Sequence, residues 1–220
     1  MPLQRYNVDF ERLSDDLIAE WRAIPPAIVS DCMNRTQAMA GRIKPLAPGT
    51  VLAGQARTAD CMVGDNGPLH SALRYLRPGE VLVGDGNGHT DVALWGGILT
   101  RAAMARGCAG VVIDGGVRDI AEIRELGFPC YAAAHVPAGP HKGHGGVIDG
   151  TLSCGGCPVR PGDIVVGDDD GVAVVPLERH VELLEASKAK LAEEEATVKR
   201  IAEGELTADR LGIPEPDVIG

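Results

Sequence analysis

Apolar positions near the start of the chain recur at helical spacing. In "DFERLSDDLIAEWRAI", Leu13, Leu17, Ile18 and Trp21 fall on one face of a helix, and Pro25-Pro26 ends that helix or starts the next. "AIVSDCMNR" is a second short helix candidate. From Ile43 the pattern changes to short β-like pieces punctuated by Pro and Gly, "IKPLAPGTVLAGQARTADCMV" and then "LRPGEVLVGDGNG". There follow strand "EVLVGDG", helix "VALWGGILTRAAMARG", strand "AGVVIDGG", helix "RDIAEIRELG" and strand "PCYAAAHVP". This alternation predicts parallel strands joined by right-handed crossovers, hence a layered α/β core with N-terminal helices.

The pattern changes again from Gly143 to Leu177, which is rich in Gly and β-formers, carries several turns and has no helix-length period. It reads as a set of antiparallel strands, with "GDDDGVAVVP" as a hairpin turn between buried strands rather than a calcium loop. From Leu177 to Glu203 the chain becomes charged and Ala/Leu-rich, with Val181, Leu184, Ala192 and Ile201 among solvated residues, as in a long amphipathic helix. A helix of that length is expected to touch another subunit. Residues 204–220 read as a tail, and with no repeat and no dividing linker the 220 residues are expected to form one domain with its core over about 25–177.

Composition narrows the chemistry. Apolar residues make up 45% and aromatics only 3%, so the core is expected to be Val, Ile, Leu and Ala under covered sheets. A net charge of −10 with no basic stripe argues against nucleic acid as a direct ligand. The N-terminus is charged throughout and no apolar run approaches a membrane span, so neither a secretory signal nor a membrane is expected and the cytoplasm is the expected compartment. Of the six cysteines, Cys154 and Cys157 form a C-x-x-C, yet zinc would need a second ligand pair and redox chemistry a following helix, so packing is the expected role. His141 and His144 lie in a Gly/Pro loop without a metal-ligand cluster around them and read as loop residues.

Two stretches carry candidate chemistry. "VGDGNGHTDVALWGGIL" leads from strand to helix, and unpaired amides at Gly96, Gly97, Ile98 and Leu99 would make a receptor for a carboxylate. Its spacing matches neither the phosphate-binding Walker loop nor the dinucleotide fingerprint. "GGVRDIAE" follows the strand "AGVVID". There Asp119 and Glu122, as D-x-x-E, have the spacing of a capping box, with Arg118 an exposed neighbour. The alternative is a site at the carboxyl end of a parallel strand, where Arg118 forks onto a carboxylate and Asp119 anchors Mg²⁺, which keeps several waters.

"PPAIVSDCMNR", "IKPLAPGTVLAGQARTA", "GCAGVVIDGGVRD", "GFPCYA" and "VRPGDIVVGDDDGVAVVP" together resemble the family of regulator of ribonuclease activity A and the class II 4-hydroxy-4-methyl-2-oxoglutarate / 4-carboxy-4-hydroxy-2-oxoadipate aldolases, over residues from about 25 to 205. The resemblance implies a swivelling β/β/α-type fold with a mixed sheet, a homotrimer or a hexamer of two trimers, and a site between subunits. It implies a small 2-oxo acid substrate, Mg²⁺ or Mn²⁺ at Asp119, and Arg118 gripping the pyruvyl group. The aldolase motif is an Asp, twenty residues, then Arg-Asp; here the first acid is replaced by Gly97. Asp91, His89 or Asp85 could fill its proton-relay role, as could Glu194 in the run Glu193-Glu194-Glu195 from an adjacent subunit. The activity implied is retro-aldol cleavage or oxaloacetate decarboxylation through a pyruvate enolate. A non-catalytic protein-binding regulator and an enzyme of a related sugar or hydroxy acid are the alternatives. On the enzyme reading, Gly97→Asp is expected to raise turnover by restoring the relay.

Overall fold

The computed structural model describes residues 2–143 and 145–220. In chain order its strands and helices are β1 (Leu3–Arg5), α1 (Asp15–Arg22), α2 (Pro26–Cys32), β2 (Lys44–Pro45), β3 (Leu52–Cys61), α3 (Gly67–Ala72), β4 (Val81–Trp95) and α4 (Gly97–Ala105). There follow β5 (Gly110–Val117), α5 (Ile120–Glu125), β6 (Cys130–His135), β7 (Gly146–Ile148), β8 (Leu152–Cys154), β9 (Cys157–Val159), β10 (Ile164–Asp168), β11 (Gly171–Val175), α6 (His180–Ala202) and α7 (Thr207–Arg210).

The main sheet runs β1-β7-β3-β4-β5-β6-β2, with β3, β4, β5 and β6 parallel as the crossover pattern predicts. β10 and β11 continue from β3 as an antiparallel hairpin, and β8 and β9 form a separate one. This is a mixed α/β fold with a large mixed sheet and a long C-terminal helix.

Alternation along each strand explains the layers. Leu82, Val111 and Ile113 face a core shared with Leu69 and Leu73, near α3, Leu99 of α4 and Ile123 of α5. Val81, Val83 and Val112 face the other way, onto β8, β9 and Val165, Val172 and Val174. The hairpin's remaining face, Ile164, Val166, Ala173 and Val175, is covered by α1, α2 and α6 through Trp21, Ile28, Val29, Leu183 and Leu184. Both faces of the central strands are therefore dry, which is why they read as apolar runs.

Three expectations need correction. The helix read over "VALWGGILTRAAMARG" begins only at Gly97, because Ala93 and Trp95 still pair with Gly116 and Val117 of β5 across a series of register shifts. What reads as a Gly-rich loop is thus the bulged second half of β4. At the N-terminus β1 adds an edge strand, pairing parallel with β7, that the sequence pattern does not announce. On α6, Val181 and Ile201 are exposed while Leu183 joins Leu184 in the core. Among the described residues no helix is long and apolar enough to cross a membrane.

Candidate active site

β4 and β5 end side by side, and Arg118 N donates to Trp95 O at 3.0 Å, tying the two exits together. Immediately after, Asp119 adopts the left-handed conformation (φ 60°, ψ 38°). Asp tolerates that region better than most residues, but it still needs a tertiary reason. The reason is on α4: Gly97 N donates to Asp119 Oδ2 at 2.9 Å. The carboxylate thus caps a neighbouring helix. The capping box expected for α5 is absent, since Asp119 makes no side-chain cap on its own helix and Glu122 does not reach back to it.

Two glycines make the arrangement possible. A Cβ at Gly96 would lie 2.6 Å from Asp119 Oδ2 and 3.1 Å from Arg118 Cγ. A Cβ at Gly97 would fall 2.8 Å from Glu122 Oε1 and closer still to Oε2. The volume that a side chain at 97 would claim is therefore held by the Glu122 carboxylate, which Arg101 Nε steadies at 2.8 Å.

Arg118 and Asp119, each with a side chain 41% exposed and Nε to Oδ2 at 3.6 Å, open onto a cavity of about 80 Å³. Trp95 and Leu99 are buried in its wall, and Trp95 Nε1 donates to Thr100 Oγ1 at 2.8 Å. The loop after β6 passes close to the guanidinium, where a Cβ at Gly139 would come within 2.7 Å of Arg118 Nη1. That loop is pinned by Val136 N to Val117 O, Ala93 N to Ala138 O and His141 N to Gly64 O. Asn66, His70 and Lys142 complete the polar lining. Sequence reading gave these three no role; the only local signal was "GDNGPLH", a turn signal opening into a helix.

The sequence candidates divide accordingly. Gly96, Ile98 and Leu99 line the cavity with Arg118 and Asp119. Gly97 does not, and its amide is engaged by Asp119 rather than free for a ligand. Asp91 and His89 lie on the bulged half of β4 and are outside the cavity lining, Asp91 being exposed. Asp85 is outside it too, paired across the sheet with Asp60 and Asp114. Its carboxyl is raised mainly by burial. Glu194 stands on a separate groove of α6 beside Leu191 and Val198, so one chain alone does not bring it to Arg118. Cys154 and Cys157 face each other across the β8–β9 turn, buried, and burial pushes the Cys157 thiol up to about 12. His144 lies outside the described residues.

A family model described as RraA-like, aldolase/RraA, matches residues 26–174. The chain belongs to the RraA-like family. A Halalkalibacterium halodurans relative, provisionally named as a 4-hydroxy-4-methyl-2-oxoglutarate aldolase, is 36% identical over 86% of this RraA-like chain and 90% of its own length. A Thermus thermophilus protein named 4-hydroxy-4-methyl-2-oxoglutarate aldolase is 38% identical over 56% of the chain and 75% of its own. Among solved structures, Streptomyces coelicolor RraAS2, titled an unusual member of the RNase ES inhibitor RraA family, superposes with a TM-score of 0.76 at 28% identity. The match covers 86% of this chain and all of that one. The names of the relatives point to aldolase activity, and the structural neighbour to regulation.

Proposed function

We propose that this RraA-like chain is a divalent-metal-dependent carbon–carbon lyase that releases pyruvate from a 2-oxo acid. Its substrates would be a 4-hydroxy-4-methyl-2-oxoglutarate type acid cleaved by retro-aldol reaction, oxaloacetate by decarboxylation, or both. The observation that carries this is the Arg118–Asp119 pair at the exit of β5, opening on one small cavity. A cavity of about 80 Å³ suits the head of a small acid, not a nucleotide.

The donor set fits a hard cation. Asp119 offers oxygen with one of its atoms already fixed by Gly97 N, and among the described residues no group of three or more His, Cys, Asp or Glu surrounds it. One anchoring carboxylate is what Mg²⁺ or Mn²⁺ needs when water and substrate oxygens complete the shell. Such an ion would supply Lewis-acid polarisation of the substrate's ketone and carboxylate oxygens. Arg118 forks onto the substrate carboxylate and balances the negative charge that moves toward the ketone oxygen as the C3–C4 bond breaks. Trp95 and Leu99 keep that side of the cavity dry, which strengthens the Arg118 contact. For the proton relay, Glu122 now stands where a side chain at 97 would, beside Asp119 and steadied by Arg101. In a homotrimer or hexamer Glu194 of a neighbouring copy would be a second acid.

The test is pyruvate release from oxaloacetate and 4-hydroxy-4-methyl-2-oxoglutarate with Mg²⁺ or Mn²⁺. Chelation is expected to abolish it, and Arg118→Lys to lower kcat/KM by about a hundredfold or more through loss of the planar fork. No pyruvate from either acid with either metal would overturn the reading. A regulator that binds a ribonuclease is the second reading. It is favoured by the absence of a side chain at position 97 and by the Streptomyces coelicolor neighbour. Ribonuclease inhibition that survives Arg118→Ala with Asp119→Ala would support it. An enzyme of a related sugar or hydroxy acid would use the same Arg118 and Asp119, and the substrate panel separates it.

A further inference from the structure

A groove of about 630 Å³ runs between the segment just after β1, the turn between β7 and β8, Asp60 of β3, and Arg160 beyond β9. It shares no lining residue with the Arg118–Asp119 cavity. Asp60 points into it, away from the helix-covered core, because Ala59 and Cys61 on either side face that core.

The walls are held by the fold. Tyr6 N donates to Ile148 O at 3.0 Å, extending the pairing of β1 with β7, and the phenol ring lies against Gly150, where a Cβ would come within 3.3 Å of it. Gly150 O accepts from Thr58 Oγ1 at 2.6 Å. Arg160 N donates to Asp163 Oδ2 at 2.8 Å, which fixes the base of that side chain. Its exposed guanidinium meets only Glu178, at 3.3 Å, a surface pair of little strength.

Charge inside the groove is not balanced. Asp149 is neutralised by Arg57 at 2.5 Å and by Arg5 at 3.1 Å. Asp60 is half-buried and has no hydrogen-bond or ion-pair partner among the described residues. Its neighbour across the β3–β4 register is another carboxylate, Asp85. A carboxylate withdrawn from water without a counter-charge is costly, and a cation in the groove would relieve that cost. The exposed Tyr6 ring in the same wall offers a cation–π face, which suits an organic ammonium better than a metal ion that keeps its waters. Arg160 supplies the opposite charge, and Asn7 and Thr151 add neutral hydrogen-bonding groups.

We propose that this groove binds a small amino-acid zwitterion. The ligand's ammonium group pairs with Asp60 and lies against the Tyr6 ring, while its carboxylate takes the Arg160 fork in place of Glu178. Binding here is independent of the lyase reading, since no residue of the Arg118–Asp119 cavity takes part.

Ligand-observed NMR titration tests this with the ω-amino acids from glycine to 6-aminohexanoate, set against alkylammonium and alkanoate ions of matching length. The best-fitting amino acid is expected to bind about tenfold or more tighter than either single-charge ion. Asp60→Asn, which keeps the shape of the side chain, is expected to weaken it about tenfold or more, and Tyr6→Leu about threefold. Arg160→Gln, a change at an exposed side chain, is expected to bring its Kd to within about twofold of the alkylammonium's. No binding by any of the series at millimolar concentration, or single-charge ions binding as tightly as the zwitterion, would overturn the proposal. So would an affinity unchanged in both Asp60→Asn and Arg160→Gln.

Discussion

Gly97 is where the chemistry of single residues can be read most directly. Its amide orients Asp119, and its missing side chain leaves room for Glu122. The residue is not at positive φ, so alanine there meets no backbone strain and displaces only the flexible end of Glu122. Gly97→Ala is expected to keep the thermal midpoint within about 2 °C, while pyruvate release falls roughly tenfold if Glu122 relays the proton. For the same reason the sequence expectation for Gly97→Asp reverses. The new carboxylate would contest the space with Glu122, and a gain is expected only with Glu122→Ala alongside. Higher turnover from Gly97→Asp with Glu122 in place would refute this. Arg118 and Asp119 were legible because an Arg-Asp pair between an apolar run and a helix is a local pattern. The swap at Glu122 was not legible. D-x-x-E spacing has a sufficient local explanation as a cap, and only the left-handed turn of Asp119 toward α4 cancels it.

At the level of elements, the parallel core was readable because strands buried on both faces are continuous apolar runs separated by helix-period segments. β1 was not readable, since its three residues are exposed and carry no periodicity. What holds it is pairing with β7 and an ion pair from Arg5 to Asp149 at 3.1 Å. Asp149 also binds Arg57, and Arg57 in turn bonds Glu80 through Nε at 2.8 Å and Nη2 at 3.1 Å. Arg57, Glu80 and Asp149 are nearly inaccessible. Removing the central cation would strand the buried Glu80 carboxylate and leave buried Asp149 to the partly exposed Arg5 alone. Arg57→Met is expected to cost about 3–5 kcal/mol, read as a lower urea midpoint. Arg5→Met should cost less than half of that, because Arg5 is partly exposed and Arg57 still neutralises Asp149. Equal costs would show that β1 is not an accessory to the network.

For the whole molecule, acidity is the dominant electrostatic fact, with a net charge of −10 at pH 7 and an isoelectric point of about 5.0. Two of its carboxylates, Asp60 and Asp85, stand opposite each other on β3 and β4. Burial raises both, and for Asp85 the neighbouring Asp60 and Asp114 charges add to the rise. A carboxyl whose folded pKa exceeds its unfolded value is more costly to ionise in the fold. The cost is full above the folded pKa and vanishes below the unfolded one. These groups therefore favour the folded state progressively as pH falls through the window just above 3.8. The lower net charge near the isoelectric point acts in the same direction. His70 opposes them, since an imidazole lowered in the fold loses stability as pH falls below its ordinary 6.5. Asp85→Asn separates these contributions, because the amide oxygen can still accept from Asn87 N as Asp85 Oδ1 does at 2.7 Å. The variant is expected to melt above the unsubstituted protein at pH 7, with the gap closing as pH approaches 4. A gap that persisted at pH 4 would mean that packing, and not ionisation, sets the difference. A variant less stable at pH 7 would mean that the Asp85 charge stabilises the fold through the nearby Arg42 guanidinium, whose charge favours the ionised carboxylate.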